Sequence, residues 1–287
     1  MTGGRPGAAS PPITGRTRFI AHLGLPTEAF KAPLIYNPYF ADVGIDCVVV
    51  PMGCAAAGYA AFLRQLFALS NIAGALVTMP HKMTTAGLVD EASAAVAICG
   101  ACNAVKAVDG RLVGDNFDGE GFLRGVLRKG RAVAGASAIV AGAGGVGSAI
   151  AAALAGAGLA RLALYDVDAA RADALAGRLA AHHPCLALTT GSADPDGFAI
   201  VVNATPLGMA PGDPLPFAPQ RIAPDAFVGE VVMARDTTPF LAAARARGAA
   251  TQVGIDMLFE MIPAYLEFFG LPATSPETLR RLAHRDD

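Results

Sequence analysis

The stretch Val140-Ala-Gly-Ala-Gly-Gly-Val-Gly-Ser148 constrains this chain more than any other. It follows the apolar run Ser137-Ala-Ile-Val-Ala141 and leads into an alanine-rich segment. The pattern reads as a buried strand, a glycine turn and a helix opening at Ser148. Gly142, Gly144 and Gly147 fit G-x-G-x-x-G, with Gly145 as an extra glycine and Ala143 and Val146 among the intervening places. The first glycine permits a tight turn, the second lets a pyrophosphate approach the backbone, and the third lets helix pack on strand. The helix N-terminus then offers N–H groups and a positive dipole end to phosphates.

Glycine turns are common, so context decides. A second apolar run, Leu162-Ala-Leu-Tyr165, comes one helix later and ends at Asp166, 19 residues past Gly147. A carboxylate there accepts both ribose hydroxyls of NAD and repels the 2′-phosphate of NADP. A packing turn beside a surface aspartate would explain the glycines but not this joint spacing. NAD is therefore the expected cofactor, in preference to NADP.

A chain of 287 residues has room for two domains, each with its own core. Hydrophobic content of 53% and charge of 16% exclude a disordered chain. The net charge of −2 gives no electrostatic reason to expect nucleic acid or an anionic membrane as partner. Residues 132–160 carry no charge, yet small Ala and Gly fill the run rather than Leu, Ile or Phe, which argues against a membrane span. Residues 1–16 are rich in Gly, Pro and Arg without an apolar core, and read as a flexible tail rather than a signal peptide. The odd count of five cysteines points to reduced thiols in a cytoplasm. Cys99-x-x-Cys102 has no second pair or nearby His to complete a zinc set, so no metal is expected.

Elsewhere strand-like and helix-like runs alternate. Strands are expected at 18–23, 46–51 and 74–78 and helices at 31–43 and 59–70, while Met79-Pro-His-Lys82 breaks the third strand into a new helix. Such alternation implies a parallel sheet with functional groups at the strands' carboxyl ends, where Lys82 falls. A helix over 90–98, a hairpin over 102–114 turning at Asp109-Gly110, and a helix over 120–127 follow. Beyond the glycine loop, strands are expected at 199–203 and, as the last, 227–232, then a helix from Thr238 and a long helical tail from Gly254. The reading is an α/β chain of two domains. A substrate domain at 17–116 is completed by 239–287, and a Rossmann nucleotide-binding domain at 117–238 is inserted, with the cleft between them as the expected active site.

Oxidising an alcohol needs a group that takes the hydroxyl proton as hydride leaves carbon, and hydrogen bonds that hold the developing alkoxide. Lys82 and Asp118 are the ionisable residues that fall at suitable strand or loop ends. By position alone, a surface lysine and a turn aspartate explain them as well.

The motifs around them say more. Val77-Thr-Met-Pro-His-Lys82, Gly100-Ala-Cys-Asn103-Ala, Asn116-Phe-Asp118-Gly-Glu-Gly-Phe122, the glycine loop, Asn203-Ala-Thr-Pro-Leu-Gly-Met209 and Gly254-Ile-Asp-Met-Leu258 come in this order. Together they resemble the shikimate dehydrogenase family, including quinate/shikimate dehydrogenases, over nearly the whole chain. The resemblance implies the chemistry of the shikimate pathway: reversible NAD(P)-dependent hydride transfer between a ring secondary alcohol and its ketone. Shikimate, quinate or a related cyclic polyol would be the substrate. It further implies Lys82 as catalytic acid/base, Asp118 as its partner at the substrate hydroxyls, and Thr78 and Asn103 as substrate hydrogen-bonders. The glycine loop, Asn203, Thr205, Val231 and Gly254 would line the cofactor site.

The chain departs from that pattern where the substrate carboxylate would bind. The family's Gly-x-Pro-x-x-x-Ser-x-Ser-Pro motif is here Gly24-Leu-Pro26-Thr-Glu-Ala-Phe30-Lys-Ala32-Pro33, so Phe30 and Ala32 stand where the two hydroxyls would be. The family's tyrosine after the last nucleotide-domain strand appears as Met233, and its glutamine on the C-terminal helix as Met261. A carboxylate buried without those donors is costly. Either the substrate differs, or Lys31, Tyr36 or Thr27 receives the carboxylate. The family's NADP-reading Asn-Arg-Thr/Ser stretch is Tyr165-Asp166-Val-Asp168 here, which again points to NAD. Two functions stand: a dehydrogenase of a cyclic hydroxy acid or polyol, and a non-catalytic NAD-binding sensor, which would not need both Lys82 and Asp118. A homodimer stays open as the assembly.

Overall fold

The computed structural model describes residues 13–28, 30–235 and 237–283, so the first twelve residues of the expected tail lie outside it. The chain forms two compact units. One holds the chain up to Ser93, Ala101–Asp115 and the residues from Tyr265; the other holds Ala94–Gly100 and Asn116–Ala264.

In chain order the first part gives β1 (Arg18–Gly24), α1 (Ala32–Val43), β2 (Cys47–Gly53), α2 (Tyr59–Leu66), β3 (Ile72–Val77), α3 (Lys82–Ala86) and β4 (Glu91–Ala92). Then come α4 (Ala94–Cys99), which belongs to the second unit, β5 (Ala104–Val108) and β6 (Arg111–Asp115). The sheet of the first unit runs β2-β1-β3-β5-β6-β4. Strands β1 to β3 are parallel, because helices return the chain between them, and β1 is central, with Ile20, Ala21 and Leu23 fully buried. The expected hairpin forms β5 and β6; Asp109 and Gly110 take φ of 50° and 78°, the pair of positive values that a two-residue turn requires. The helix expected over 90–98 begins only at Ala94. Asp90 Oδ2 instead accepts the Leu112 N–H at 2.7 Å, which lays Glu91 and Ala92 against Val113 and Gly114 as a strand.

The second unit continues with α5 (Asp118–Arg128), β7 (Ser137–Ala141), α6 (Gly145–Gly156), β8 (Arg161–Tyr165), α7 (Ala169–His182), β9 (Ala187–Thr190), β10 (Ile200–Asn203), β11 (Phe227–Glu230), α8 (Pro239–Ala246), β12 (Ala250–Gln252) and α9 (Gly254–Phe268), whose residues from Tyr265 are counted with the first unit. The chain closes in the first unit with α10 (Pro276–Ala283). Six parallel strands run β9-β8-β7-β10-β11-β12, and the order reverses between β7 and β10. Alternate residues of β7 serve opposite faces. Ala138 and Val140 pack with Phe122, Ile150 and Leu154, whereas Ile139 and Ala141 pack with Phe240 and Leu241. Burying each such Leu or Phe side chain contributes roughly 1.5–3 kcal/mol. This is the doubly wound α/β arrangement expected from the glycine loop.

Some boundaries in the second unit differ from the expectation. Helix α6 opens at Gly145 rather than Ser148, because Gly144 holds the extended cap conformation (φ −72°, ψ −173°). Helix α5 opens at Asp118 rather than 120. Strand β11 is not the last: α8 buries Phe240, Leu241 and Ala244, and β12 then pairs with β11. The second unit therefore keeps the chain to Ala264, where the sequence reading closed it at 238. Among the described residues no helix is long and apolar enough to cross a membrane.

Candidate active site

In the first unit the exits of β1 and β3 are tied together. Thr78 donates its N–H to Leu23 C=O at 2.9 Å, and Leu25 donates to Met79 C=O at 3.0 Å. A side chain at Gly24 would overlap the Thr78 methyl and come within 2.9 Å of Phe30 Cζ, so glycine is what lets these groups converge. Lys82, half-buried, opens α3 directly after this crossing.

His81, the residue before it, is 1% exposed. Its ring stacks on Tyr59 with centroids 3.8 Å apart, and its Nε2 lies 2.7 Å from Cys54 C=O. The Thr85 hydroxyl donates to His81 C=O at 2.8 Å, so in the 2.6 Å bond between Tyr59 and Thr85 the phenol is the donor. Burial pushes that phenol up to about 12, which keeps its proton in place. Lys82 C=O accepts the Cys102 N–H at 2.9 Å. Asn103, with no exposure, bonds through its main chain to Asp115 and Val77. Lys82, Thr78 and Asn103 are thus brought together by main-chain bonds.

Phe30 is half-buried and stacks on His22 at 4.1 Å, while Ala32 opens α1 and is buried. His22 escaped the sequence reading; its signal was a polar residue in an otherwise apolar core strand. Burial, and then the charge of Lys82, push its imidazole down to about 4, so it is neutral at pH 7. Of the three alternative carboxylate receivers, Lys31 is exposed, Thr27 is half-buried, and Tyr36 is fully buried with its phenol held protonated by desolvation.

In the second unit the glycine loop sits where β7 and β10 diverge, the switch point at which doubly wound sheets bind ligands. Gly142 has φ +99°, and a side chain there would approach Ala204 C=O to 2.6 Å; one at Gly147 would overlap Gly142 C=O. Side chains at Gly144 and Gly145 would meet nothing within 4 Å. The loop is therefore crowded toward the protein and open on its other side, as a pyrophosphate cradle must be. Ala143 N–H donates to Asp166 Oδ2 at 2.7 Å, and Asp168 N–H donates to Oδ1 at 2.9 Å. These bonds aim the carboxylate at the end of β8 while leaving lone pairs for a ribose. The donor set fits a dinucleotide.

Asn203 is fully buried and commits its carboxamide locally. Its NH2 donates to Leu207 C=O at 3.0 Å, and its oxygen accepts from Thr205 N–H at 3.1 Å and from the Thr205 hydroxyl at 2.6 Å. Its own C=O accepts the Val231 N–H. Gly254 opens α9 so close to Val232 C=O that a side chain would overlap it. Glu230, also missed, lies opposite Asn203 in register and is fully buried. Burial raises its carboxyl pKa, opposed by bonds from Thr238 (2.8 Å) and Asn203. A carboxylate within the apolar run 227–232 was the legible signal.

Asp118 is 5% exposed at the start of α5, where the helix dipole favours a negative charge, and its N–H donates to Asn116 Oδ1 at 3.0 Å. Met261 lies on α9 against Gly121, and Met233 just past β11 is exposed. Lys82, Thr78, Asn103, Phe30 and Ala32 belong to the first unit; Asp118, Met233, Met261 and every cofactor candidate belong to the second. Among the described residues no cluster of His, Cys, Asp and Glu could hold a metal ion.

Residues 23–105 match the shikimate dehydrogenase substrate binding domain. Over 277 residues the chain is 38% identical to the shikimate dehydrogenase (NADP(+)) of Rhodospirillum rubrum, covering 93% of this chain and 97% of that one. Among solved structures, shikimate 5-dehydrogenase from Listeria monocytogenes, in complex with shikimate and NAD, superposes with a TM-score of 0.86 at 25% identity, covering 94% and 97% of the two chains. Quinate dehydrogenase from Corynebacterium glutamicum, in complex with NAD, gives 0.82 at 27% identity, covering 93% and 98%.

Proposed function

The chain belongs to the shikimate dehydrogenase family of NAD(P)-dependent oxidoreductases, and we propose that it oxidises a ring secondary alcohol reversibly with Lys82 as acid/base and Asp118 as its partner. Thr78 and Asn103 orient the ring through hydrogen bonds. The Lys82 amine takes the hydroxyl proton while the C–H electron pair departs as hydride, and the resulting ammonium returns that proton to the alkoxide in the reverse direction. Asp118 accepts a hydrogen bond from a ring hydroxyl. The nicotinamide, when bound, supplies the two-electron acceptor that turns the alcohol into a ketone. Gly144, Gly145 and the α6 N-terminus would hold its pyrophosphate, and Asp166 the adenine-side ribose. Thr205, Val231 and Gly254 would line the remaining cofactor surface, with Asn203 and Glu230 shaping the strand ends.

The observation that supports this reading is the anchoring of the backbone at Lys82: the stacked His81 and Tyr59 rings and the Thr85 hydroxyl fix the residue before it, and its C=O accepts the Cys102 N–H. A nucleotide sensor would not need Lys82 and Asp118 together. NAD is the preferred cofactor, although the Rhodospirillum relative is named for NADP(+): Asp166 meets the place of a 2′-phosphate with negative charge, and the next residue, Val167, is 94% exposed and carries no cation. The substrate is a cyclic hydroxy acid or polyol. Among the described residues no cysteine forms a disulfide, in keeping with action in a reducing cytoplasm. The test is formation of reduced nicotinamide from NAD and NADP, side by side, with shikimate, quinate and cyclitols. Turnover of at least one ring alcohol, faster with NAD, is expected; dinucleotide binding without turnover of any would return the sensor reading.

A further inference from the structure

Phe30 and His22 lie beside Gly24 and Thr78, next to the residues expected at the substrate. Phe30 stands over Gly24 and stacks on the imidazole at an interplanar angle of 28°. His22 Nδ1 is buried and has no hydrogen-bond partner among the described residues, although the ring as a whole keeps partial exposure. A buried unpaired N–H costs more than a bare lone pair, so the favoured tautomer carries its proton on Nε2, at the other edge. That edge presents one neutral donor beside an aromatic surface. Desolvation and the neighbouring Lys82 both oppose a positive charge on the ring.

One neutral donor satisfies a hydroxyl or ketone oxygen. It does not satisfy a carboxylate, which has about four lone-pair sites and needs several donors or a cation when buried. The face of an aromatic ring also repels negative charge. We infer that His22, backed by Phe30, is a specificity-determining residue that reads an uncharged oxygen, and that the substrate is a neutral polyhydroxylated ring without a carboxylate. This rests on the dehydrogenase reading above and narrows its substrate class.

The experiment compares shikimate with its methyl ester, and quinate with myo-inositol, using wild-type protein, His22→Phe and His22→Gln with NAD. The ester carries the same ring without the charge. Wild type is expected to turn over the ester with a kcat/KM about tenfold or more above the free acid. His22→Phe, which preserves stacking, should remove that advantage through KM while kcat changes little, and His22→Gln should restore part of it. A wild-type preference for the free acid would overturn the inference and leave the dehydrogenase intact. Equal losses on ester and acid in His22→Phe would likewise overturn it, since a purely structural role acts on both. Silence with all four compounds, NAD binding being retained, would instead overturn the dehydrogenase reading.

Discussion

Asp166→Asn isolates what the carboxylate at the end of β8 contributes to cofactor choice. The wild-type carboxylate is fixed by N–H donors from Ala143 and Asp168 at 2.7 and 2.9 Å. Asn keeps one acceptor oxygen, so one of these bonds survives and the loop loses about 1 kcal/mol of stability. The larger effect is on the ligand. A 2′-phosphate with about two charges, ~5 Å from the carboxylate in an effective dielectric of ~40–80, is repelled by roughly 2–3 kcal/mol. Replacing charge-assisted bonds to the NAD ribose with neutral ones loses about 1 kcal/mol more. The ratio of kcat/KM for NADP over NAD should therefore rise by roughly 10²–10³ in the variant. Initial rates with both cofactors at low salt measure it, and raising the salt should shrink the wild-type preference. A wild type that prefers NADP, or a variant whose ratio is unchanged, would refute the reasoning.

The pH dependence of stability should carry the signature of His22. Its folded pKa of about 4 lies below the unfolded 6.5, so from pH 6.5 downward the unfolded chain takes up the proton first. Stability present above pH 6.5 is then lost progressively toward pH 4, by about 3 kcal/mol from this one group, and urea midpoints should fall less steeply in His22→Phe. Tyr59→Phe removes only the donor to Thr85, and should cost about 1 kcal/mol by urea denaturation while lowering kcat more than it raises the KM for NAD. Gly147→Ala forces the glycine loop off Gly142 C=O; thermal unfolding should report a loss of about 1–3 kcal/mol, and titration a marked loss of NAD affinity.

What the sequence made legible follows from how strongly local chemistry fixes the backbone. The loop from Gly142 to Gly147 could be read because two of its glycines meet backbone a side chain would overlap, and the Asp109-Gly110 turn because few residues accept positive φ. Lys82 was legible through its motif, but its support was not: Tyr59, Thr85 and Cys54 reach His81 from 22, 4 and 27 residues away, a convergence that only the fold creates. The end of the nucleotide unit was misplaced because Thr238 is a sound helix start, and nothing local reveals that α8 stays on the second sheet. Strands β9 and β12 are short edge strands with little alternation, and were not anticipated. His22 read as an ordinary core-strand residue because its stacking partner, Phe30, comes from a separate loop.

If Lys82 carries the proton in a hydride transfer, removing its amine must slow the chemical step. The most direct test is kcat for the best ring alcohol in wild type and Lys82→Ala, with NAD affinity measured separately by titration. A loss in kcat of about 10²–10⁴ with NAD affinity unchanged is expected. Undiminished turnover by Lys82→Ala would contradict it.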